Sequence, residues 1–368
     1  MKQSSKSKII SPENFFHTAV KEDKHSLPSP PRNHSKLILV ADIGGTNSDF
    51  AVMEEKGHKL ILSLHFHTRE LVEFGKFMKK IVEYLNFKYK LKVNLISIAA
   101  AGRVTEKGEV HGTNLPLKIS VKEIQKETRL PCFVFNDFET MGYGIDVLHH
   151  KDLLQVKSGT KVHQQPRILL GAGTGLGKSI LIWNKTTKSY IPLPSDGGLA
   201  KISIQNEEEY ELMEFIKREF RIDSVCWEDV LSGKGIEIIY NFLSKKNKYA
   251  LETKKMLKDI ELNGASAVLI SKYRKESQQC KDTFKIFAHF YARCAQNFAL
   301  DALALGGVYI GGGIAAKNKD IFNTREFREE FTNNHKLKKV LEQIPIFVIT
   351  NYDVSLYGAA VAAEYAKK

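Results

Sequence analysis

Past residue 35 the chain alternates short apolar runs, glycine-broken loops and longer stretches of helical spacing. LILVADI (37–43) is apolar at almost every position, which predicts a strand covered on both faces. GGTN follows as a loop, SDFAVM as a second strand, EEKGHK as a turn and LILSLHF as a third strand, together an antiparallel meander. Leu71, Phe74, Phe77, Met78, Ile81 and Leu85 recur at helical spacing and predict a helix over 70–87. VNLISIAAA and CFVFND read as further strands, the latter running into the helical start FETMGYGID.

The pattern then repeats. RILLGAGTGLGKSILIW is again apolar strand, glycine-rich loop, apolar strand, with a turn at NKTTKS. Helical spacing follows over 206–220, 227–244, 262–277 and 280–305. GGVYIGGG predicts a strand entering a third glycine cluster, FVITN a late strand and SLYGAAVAAEYA a closing helix. This alternation predicts α/β lobes, and 368 residues exceed one compact core. The expected division is a flexible extension over 1–35, a small lobe of 36–146 plus 345–368, and a large lobe of 147–344. The extension is polar, with the Pro-rich SLPSPPRNHS, and its acidic Glu13, Glu22 and Asp23 speak against a presequence.

Composition narrows the class. Hydrophobic residues make up 43% and charged residues 26%, the balance of a soluble globular protein. The net charge of +13 raises a nucleic-acid partner, but the lysines are scattered and no dense basic run occurs, so a solvated surface is the expectation. Cys132, Cys226, Cys280 and Cys294 form no CxxC pair, which predicts reduced thiols rather than a disulfide framework or zinc site. No apolar run approaches the roughly 20 residues that span a bilayer, so the expected location is cytoplasmic, with no membrane partner.

Phosphate must be met by donors, and backbone N–H groups reach it only where side chains leave room. Gly44, Gly45, Thr46 and Asn47 fit that need, although GGTN alone could be a plain turn. Asp42 stands just before them, where a carboxylate can hold Mg²⁺ directly or through water. AGTGLGKS nearly spells a Walker A loop, but Ala172 replaces the first glycine. A Walker loop enters a helix, whereas Lys178 leads into the β-branched SILIWN, so a hairpin is expected. FNDF ends an apolar strand with Asn136 and Asp137. Asp137 suits a general base toward a hydroxyl, or alternatively the N-cap of the next helix.

DIGGTN, TNLP, FNDF, GAGTGLG, LPSDGG, WEDVLSGKG and GGGI occur in this order over residues 37–368. As a set they resemble the bacterial-type glucokinases of the sugar kinase–Hsp70–actin superfamily. The resemblance implies a two-lobed ribonuclease H-like, actin-like ATPase fold, each lobe built on a mixed five-stranded sheet and closing on a sugar. It implies ATP and Mg²⁺ as cofactors, with Asp42 and Gly44 to Asn47 in the first phosphate loop. Gly171, Gly173, Thr174, Gly175 and Gly177 would form the second, with Thr174 beside the γ-phosphate. Gly311, Gly312 and Gly313 would approach the adenosine. Asn114, Asn136, Asp137, Asp196 and Glu228 would hold sugar hydroxyls, with Asp137 as base toward O6. Family members are often homodimers. The related repressors carry a Cys-rich zinc motif and a helix-turn-helix domain, and neither occurs here.

One segment departs from the family. Where the family reads E-G-G-H, this chain has Asp196-Gly197-Gly198-Leu199. Losing the histidine's hydrogen bond in a closed site costs roughly 1–3 kcal/mol, about ten- to a hundredfold in affinity. The expectation is an ATP-dependent hexose 6-kinase acting first on D-glucose. Alternatives are a kinase for another hexose or amino sugar, a catalytically weak sugar- or nucleotide-binding regulator, and a P-loop NTPase if a helix followed Lys178.

Overall fold

The computed structural model describes residues 21–24, 36–112, 115–246, 249 and 254–367. Asn114 and most of the extension lie outside them. The chain divides into two compact units, one running to Val147 and resuming at Asp353, the other spanning Leu148–Tyr352.

The first unit holds β1 (Lys21–Lys24), β2 (Leu37–Ile43), β3 (Asn47–Glu54), β4 (Leu60–His67), β5 (Val93–Ala100), β6 (Arg103–Val104), β7 (Val110–His111) and β8 (Cys132–Asn136). Six of these form one sheet in the order β1-β4-β3-β2-β5-β8, while β6 and β7 pair separately. β2, β5 and β8 are mutually parallel; β3 runs against β2, and β4 against β3. Both faces of β2 are covered, as its unbroken apolar run requires. Leu37, Leu39, Ala41 and Ile43 pack with Phe74, Phe77, Met78 and Ile81 of the helix Phe74–Tyr89. Ile38 and Val40 pack on the other side with Leu356, Ala359, Ala360 and Ala363 of the helix Val354–Ala366. By strand alternation Asp42 shares the face of Ile38 and Val40. Helices Asp137–Gly144 and Val354–Ala366 touch backbone to backbone. A Cβ on Gly358 would stand 1.6 Å from the Thr140 carbonyl oxygen, and one on Gly144 2.3 Å from that of Val354.

The second unit holds β9 (Leu153–Lys157), β10 (Arg167–Ala172), β11 (Leu176–Asn184), β12 (Ser189–Ser195), β13 (Val308–Gly311) and β14 (Ile346–Ile349). Their order is β12-β11-β10-β13-β14-β9. The shared pattern is now explicit. In each unit the first strand of the meander lies central, its two hairpin partners on one side and two parallel strands on the other. One apolar cluster covers this sheet through Phe284, Phe287, Tyr291 and Phe298 of the long helix Gln278–Asp301.

Several expectations need correction. Each sheet has six strands, not five, because an edge strand is added to each: β1 on β4, and β9 antiparallel on β14. Lys21–Lys24, read as part of a flexible extension, is that first edge strand. FVITN was expected in the small lobe, but β14 pairs with β13 in the second sheet, and Thr350 donates from N and Oγ1 to the Asp152 carbonyl oxygen at 2.8 and 3.0 Å. The unit boundary therefore falls after Tyr352. The helix expected over 70–87 begins at Phe74, since Glu73 takes a left-handed φ of 50°. The stretch 227–244 breaks into Trp227–Val230 and Gly233–Ser244, with Ser232 capping the second piece. The stretch 262–277 breaks likewise at Gly264, where φ is +69°, ahead of the helix Ala267–Tyr273. Lys178 is the third residue of β11, which removes the P-loop reading.

Candidate active site

In the first unit the site residues collect at the carboxyl ends of parallel strands, where open α/β sheets place ligand-binding groups. The GGTN turn is pinned from below. Gly44 N–H donates to the Asn47 carbonyl oxygen at 3.1 Å, Thr68 Oγ1 donates to the Gly44 carbonyl oxygen at 2.7 Å, and Thr68 N–H to that of Thr46 at 2.9 Å. Among the described residues the N–H groups of Gly45 and Thr46 have no partner, so the fixed turn presents free donors. Thr68 was not legible as a site element, since its bond to the turn spans 24 residues.

Asp42, near the end of β2, is pushed up from 3.8 to about 7. Burial is the main cause, followed by the charges of Asp137 and Asp49; Asp353 adds to these, and a hydrogen bond with Ser355 opposes them. Asp137 is the first residue of its helix and is raised from 3.8 to about 6, chiefly by burial. The N-cap role weighed for Asp137 belongs to Asn136. Asn136 Oδ1 accepts from Phe138 N–H at 2.9 Å and Glu139 N–H at 3.2 Å, while its Nδ2 donates to the Gly102 carbonyl oxygen at 2.9 Å. The Asn136 side chain also hydrogen-bonds Asp137, so one residue ties the helix start, the Gly102 turn and the Asp137 carboxylate together. Asp137 Oδ1 accepts the Phe138 N–H at 3.0 Å, and this bond, with others from its own backbone N–H and the Asn136 side chain, partly offsets the effect of burial.

Among the described residues no group of three or more His, Cys, Asp or Glu side chains could hold a metal ion. Asp42 in its acidic surroundings supplies a single carboxylate. That donor set suits Mg²⁺, which keeps several waters and shares one or two carboxylates with substrate phosphates.

The second unit gathers the remaining residues around the β10–β11 hairpin. Gly177, Gly171 and Gly311 stand side by side in one row across β11, β10 and β13. Gly312 has φ +85°, and a Cβ there would lie 2.8 Å from the Ala172 carbonyl oxygen; Gly313 is open. The loop between the strands is clamped at both ends. Glu228 Oε2 accepts the Leu176 N–H at 2.8 Å, and Gly233 N–H donates to the Gly173 carbonyl oxygen at 2.9 Å. Thr174 is exposed at the tip, and among the described residues the N–H groups of Thr174 and Gly175 have no partner. WEDVLSGKG thus frames the second loop, a role that its spelling did not disclose.

The DGGL turn rests on the same loop. A Cβ on Gly198 would stand 2.2 Å from the Leu176 carbonyl oxygen, and Trp227 N–H donates to that of Ala200 at 2.9 Å, joining the turn to the segment bearing Glu228. Asp196 is exposed, and Leu199 is 62% exposed. Lys178, the source of the Walker-like spelling, is buried, with Nζ 4.9 Å from the Phe298 ring centroid. Its chain runs beneath Gly197, where a Cβ would meet Lys178 Cδ at 3.2 Å. Cys294 beside it is free, its thiol pushed up to about 11 by burial.

Comparison with known proteins agrees with this arrangement. The glucokinase family model matches residues 39–366. A glucokinase from Nostoc punctiforme is 30% identical over 345 residues, covering 89% of this chain and 98% of that protein. The crystal structure of a glucokinase from an Antarctic psychrotroph superposes with a TM-score of 0.73 at 26% identity, covering 90% of this chain and 100% of that one. A ROK family glucokinase from Streptomyces griseus, solved with glucose and AMPPNP, gives 0.63 at 18% identity, covering 89% and 99%. Strand order, glycine loops and family match converge: the chain is a sugar kinase and belongs to the glucokinase family.

Proposed function

We propose that the chain transfers the γ-phosphoryl group of ATP to O6 of D-glucose, with Asp137 accepting the hydroxyl proton. The observation that carries this reading is the placement of Asp137 beside Asp42 at the carboxyl ends of β8 and β2, one strand apart. A base for the hydroxyl and a carboxylate for the phosphate side then stand on one rigid sheet edge. Asp137, raised to about 6, is mostly ionised at neutral pH yet basic enough to take a proton as the O–P bond forms. We assign sugar contacts to Asn114 and Asn136 beside Asp137 in the first unit and, separately, to Asp196 and Glu228 in the second. In the first unit the free N–H groups of Gly45 and Thr46 offer donors to phosphate; in the second those of Thr174 and Gly175 do so, near the room that Gly311 to Gly313 leave for the adenosine. Asp42 would hold Mg²⁺, and the ion would screen phosphate charge. We place the enzyme in the cytoplasm, acting on small molecules rather than on nucleic acid or a membrane. Among the described residues, no helix is long and apolar enough to cross a membrane.

Leu199 supports a second reading. An exposed leucine at the sugar-binding turn favours a hexose with an apolar substituent, such as an acetamido group. Sugar-dependent ADP release, measured as kcat/KM over glucose, mannose, fructose, glucosamine and N-acetylglucosamine, separates the readings. Highest kcat/KM with glucose supports the proposal, and preference for N-acetylglucosamine supports the second reading. ADP binding without turnover on any sugar would leave a regulator.

A further inference from the structure

Asp42 does not stand alone on its strand edge. Its partner across the β2–β3 ladder is Asp49, and the partner of Asp49 across the β3–β4 ladder is His65. Directly opposed residues of neighbouring strands share one face of a sheet, so the three side chains form a row on the face that carries Asp42. Asp49 comes two residues after Asn47, where the GGTN turn enters β3. His65 Nδ1 lies 2.6 Å from Asp49 Oδ1, a short bond in which the ring N–H donates to the carboxylate. Among the described residues neither Asp42 nor Asp49 pairs with a lysine or arginine. The charge of Asp49 helps to push Asp42 up, so the two carboxylates feel each other. Like charges set directly opposite weaken a sheet. An ordinary His–Asp pair gives no reason to seat its aspartate against a second carboxylate, whereas a cation shared by the two does.

We infer that Asp49 is a second carboxylate for the magnesium ion that accompanies the nucleotide, and that His65 orients it. The inference rests on the proposed ATP-dependent reading and adds Asp49 to the single carboxylate that Asp42 supplies. Cβ atoms of directly opposed strand residues lie about 5 Å apart, so two aspartates there can reach one ion. Magnesium takes one or two carboxylates and completes its shell with water and phosphate oxygens. The free N–H groups of Gly45 and Thr46 lie in the turn that joins the strands of Asp42 and Asp49, so phosphate bound there would meet the ion. Without the ion, the Asp49 charge would instead repel phosphate. The presence of magnesium therefore reverses the sign of the effect that Asp49 has on nucleotide binding.

The test titrates ADP calorimetrically into the parent chain, Asp49→Asn, His65→Leu and His65→Asn, each with magnesium and with a chelator in its place. Asp49→Asn keeps the shape of the side chain and removes its charge. With magnesium it should bind ADP about tenfold more weakly than the parent. Without magnesium it should bind ADP as tightly or more tightly, because a like charge has left the phosphate site. His65→Leu should lose about tenfold in magnesium only, and His65→Asn, whose amide can replace the ring N–H, should keep the parent affinity. Equal ADP affinity of Asp49→Asn and the parent in magnesium would overturn the inference. So would equal losses with and without the metal, which would mark a disturbed strand, and so would a parent chain whose ADP binding ignored magnesium. If the parent released no ADP with any sugar, the kinase reading would fail, while the titrations would still report on Asp49.

Discussion

Glu228 Oε2 accepts the Leu176 N–H at 2.8 Å and lies 2.5 Å from where a Cβ on Gly175 would stand. One carboxylate thus fixes the exit of the second phosphate loop and forbids a side chain on the residue before it. Expected from sequence to touch sugar, Glu228 is also the floor of the loop, so its substitution should disturb nucleotide and sugar kinetics together.

Gly175→Ala should push Glu228 off Leu176 and lower kcat/KM for ATP by about ten- to a hundredfold, the cost of one lost buried hydrogen bond. Glu228→Ala alone should do similar damage. The double variant should lose less than the product of the two single losses, because both break the same contact. A cycle of steady-state measurements checks this. Fully multiplicative losses would mean that the residues act separately.

Asp137 carries a stability cost with a definite sign. Its folded value of about 6 lies above the ordinary 3.8, so the folded state binds its proton more tightly than the unfolded chain does. Stability contributed by the neutral acid is present below about pH 4 and is lost as pH rises toward 6. Asp137→Asn mimics the neutral form. It should unfold at a higher temperature than the parent at pH 8, with the difference closing near pH 4, as read by calorimetric melting across pH.

Leu199→His should restore a hydrogen-bonding group at an exposed turn without disturbing the core. KM for glucose should fall by about tenfold, with KM for ATP unchanged. A hexose panel run on both proteins checks it. No change for glucose, coupled with lost activity on N-acetylglucosamine, would favour the amino-sugar reading.

Much of this arrangement was legible because unbroken apolar runs announce strands covered on both faces. LILVADI and RILLGA behave so, and their repeated glycine loops marked the paired sheets. β1 was not legible, since KEDK has no apolar alternation and joins β4 through its backbone ladder. FVITN announced a strand but not its sheet, which is decided by pairing with a partner 38 positions earlier, Ile346 with Val308. At the site, the sequence already located Asp42 and Asp137 at the ends of apolar strands, and the structure has them at the carboxyl ends of β2 and β8. Whether Asn136 or Asp137 capped the helix depended on φ and ψ, not on composition, because both residue types cap well. The contribution of Ser355 and Asp353 to Asp42 depends on folding the chain's last helix against β2, more than 300 residues away in sequence.

The most direct test is turnover by Asp137→Asn with saturating ATP and glucose. The expected result is a fall in kcat of about 10²- to 10⁴-fold, with ADP binding preserved, since the amide keeps the shape of the site but cannot accept the proton. A kcat within about twofold of the parent would contradict the assignment of Asp137 as the base and, with it, the proposed mechanism.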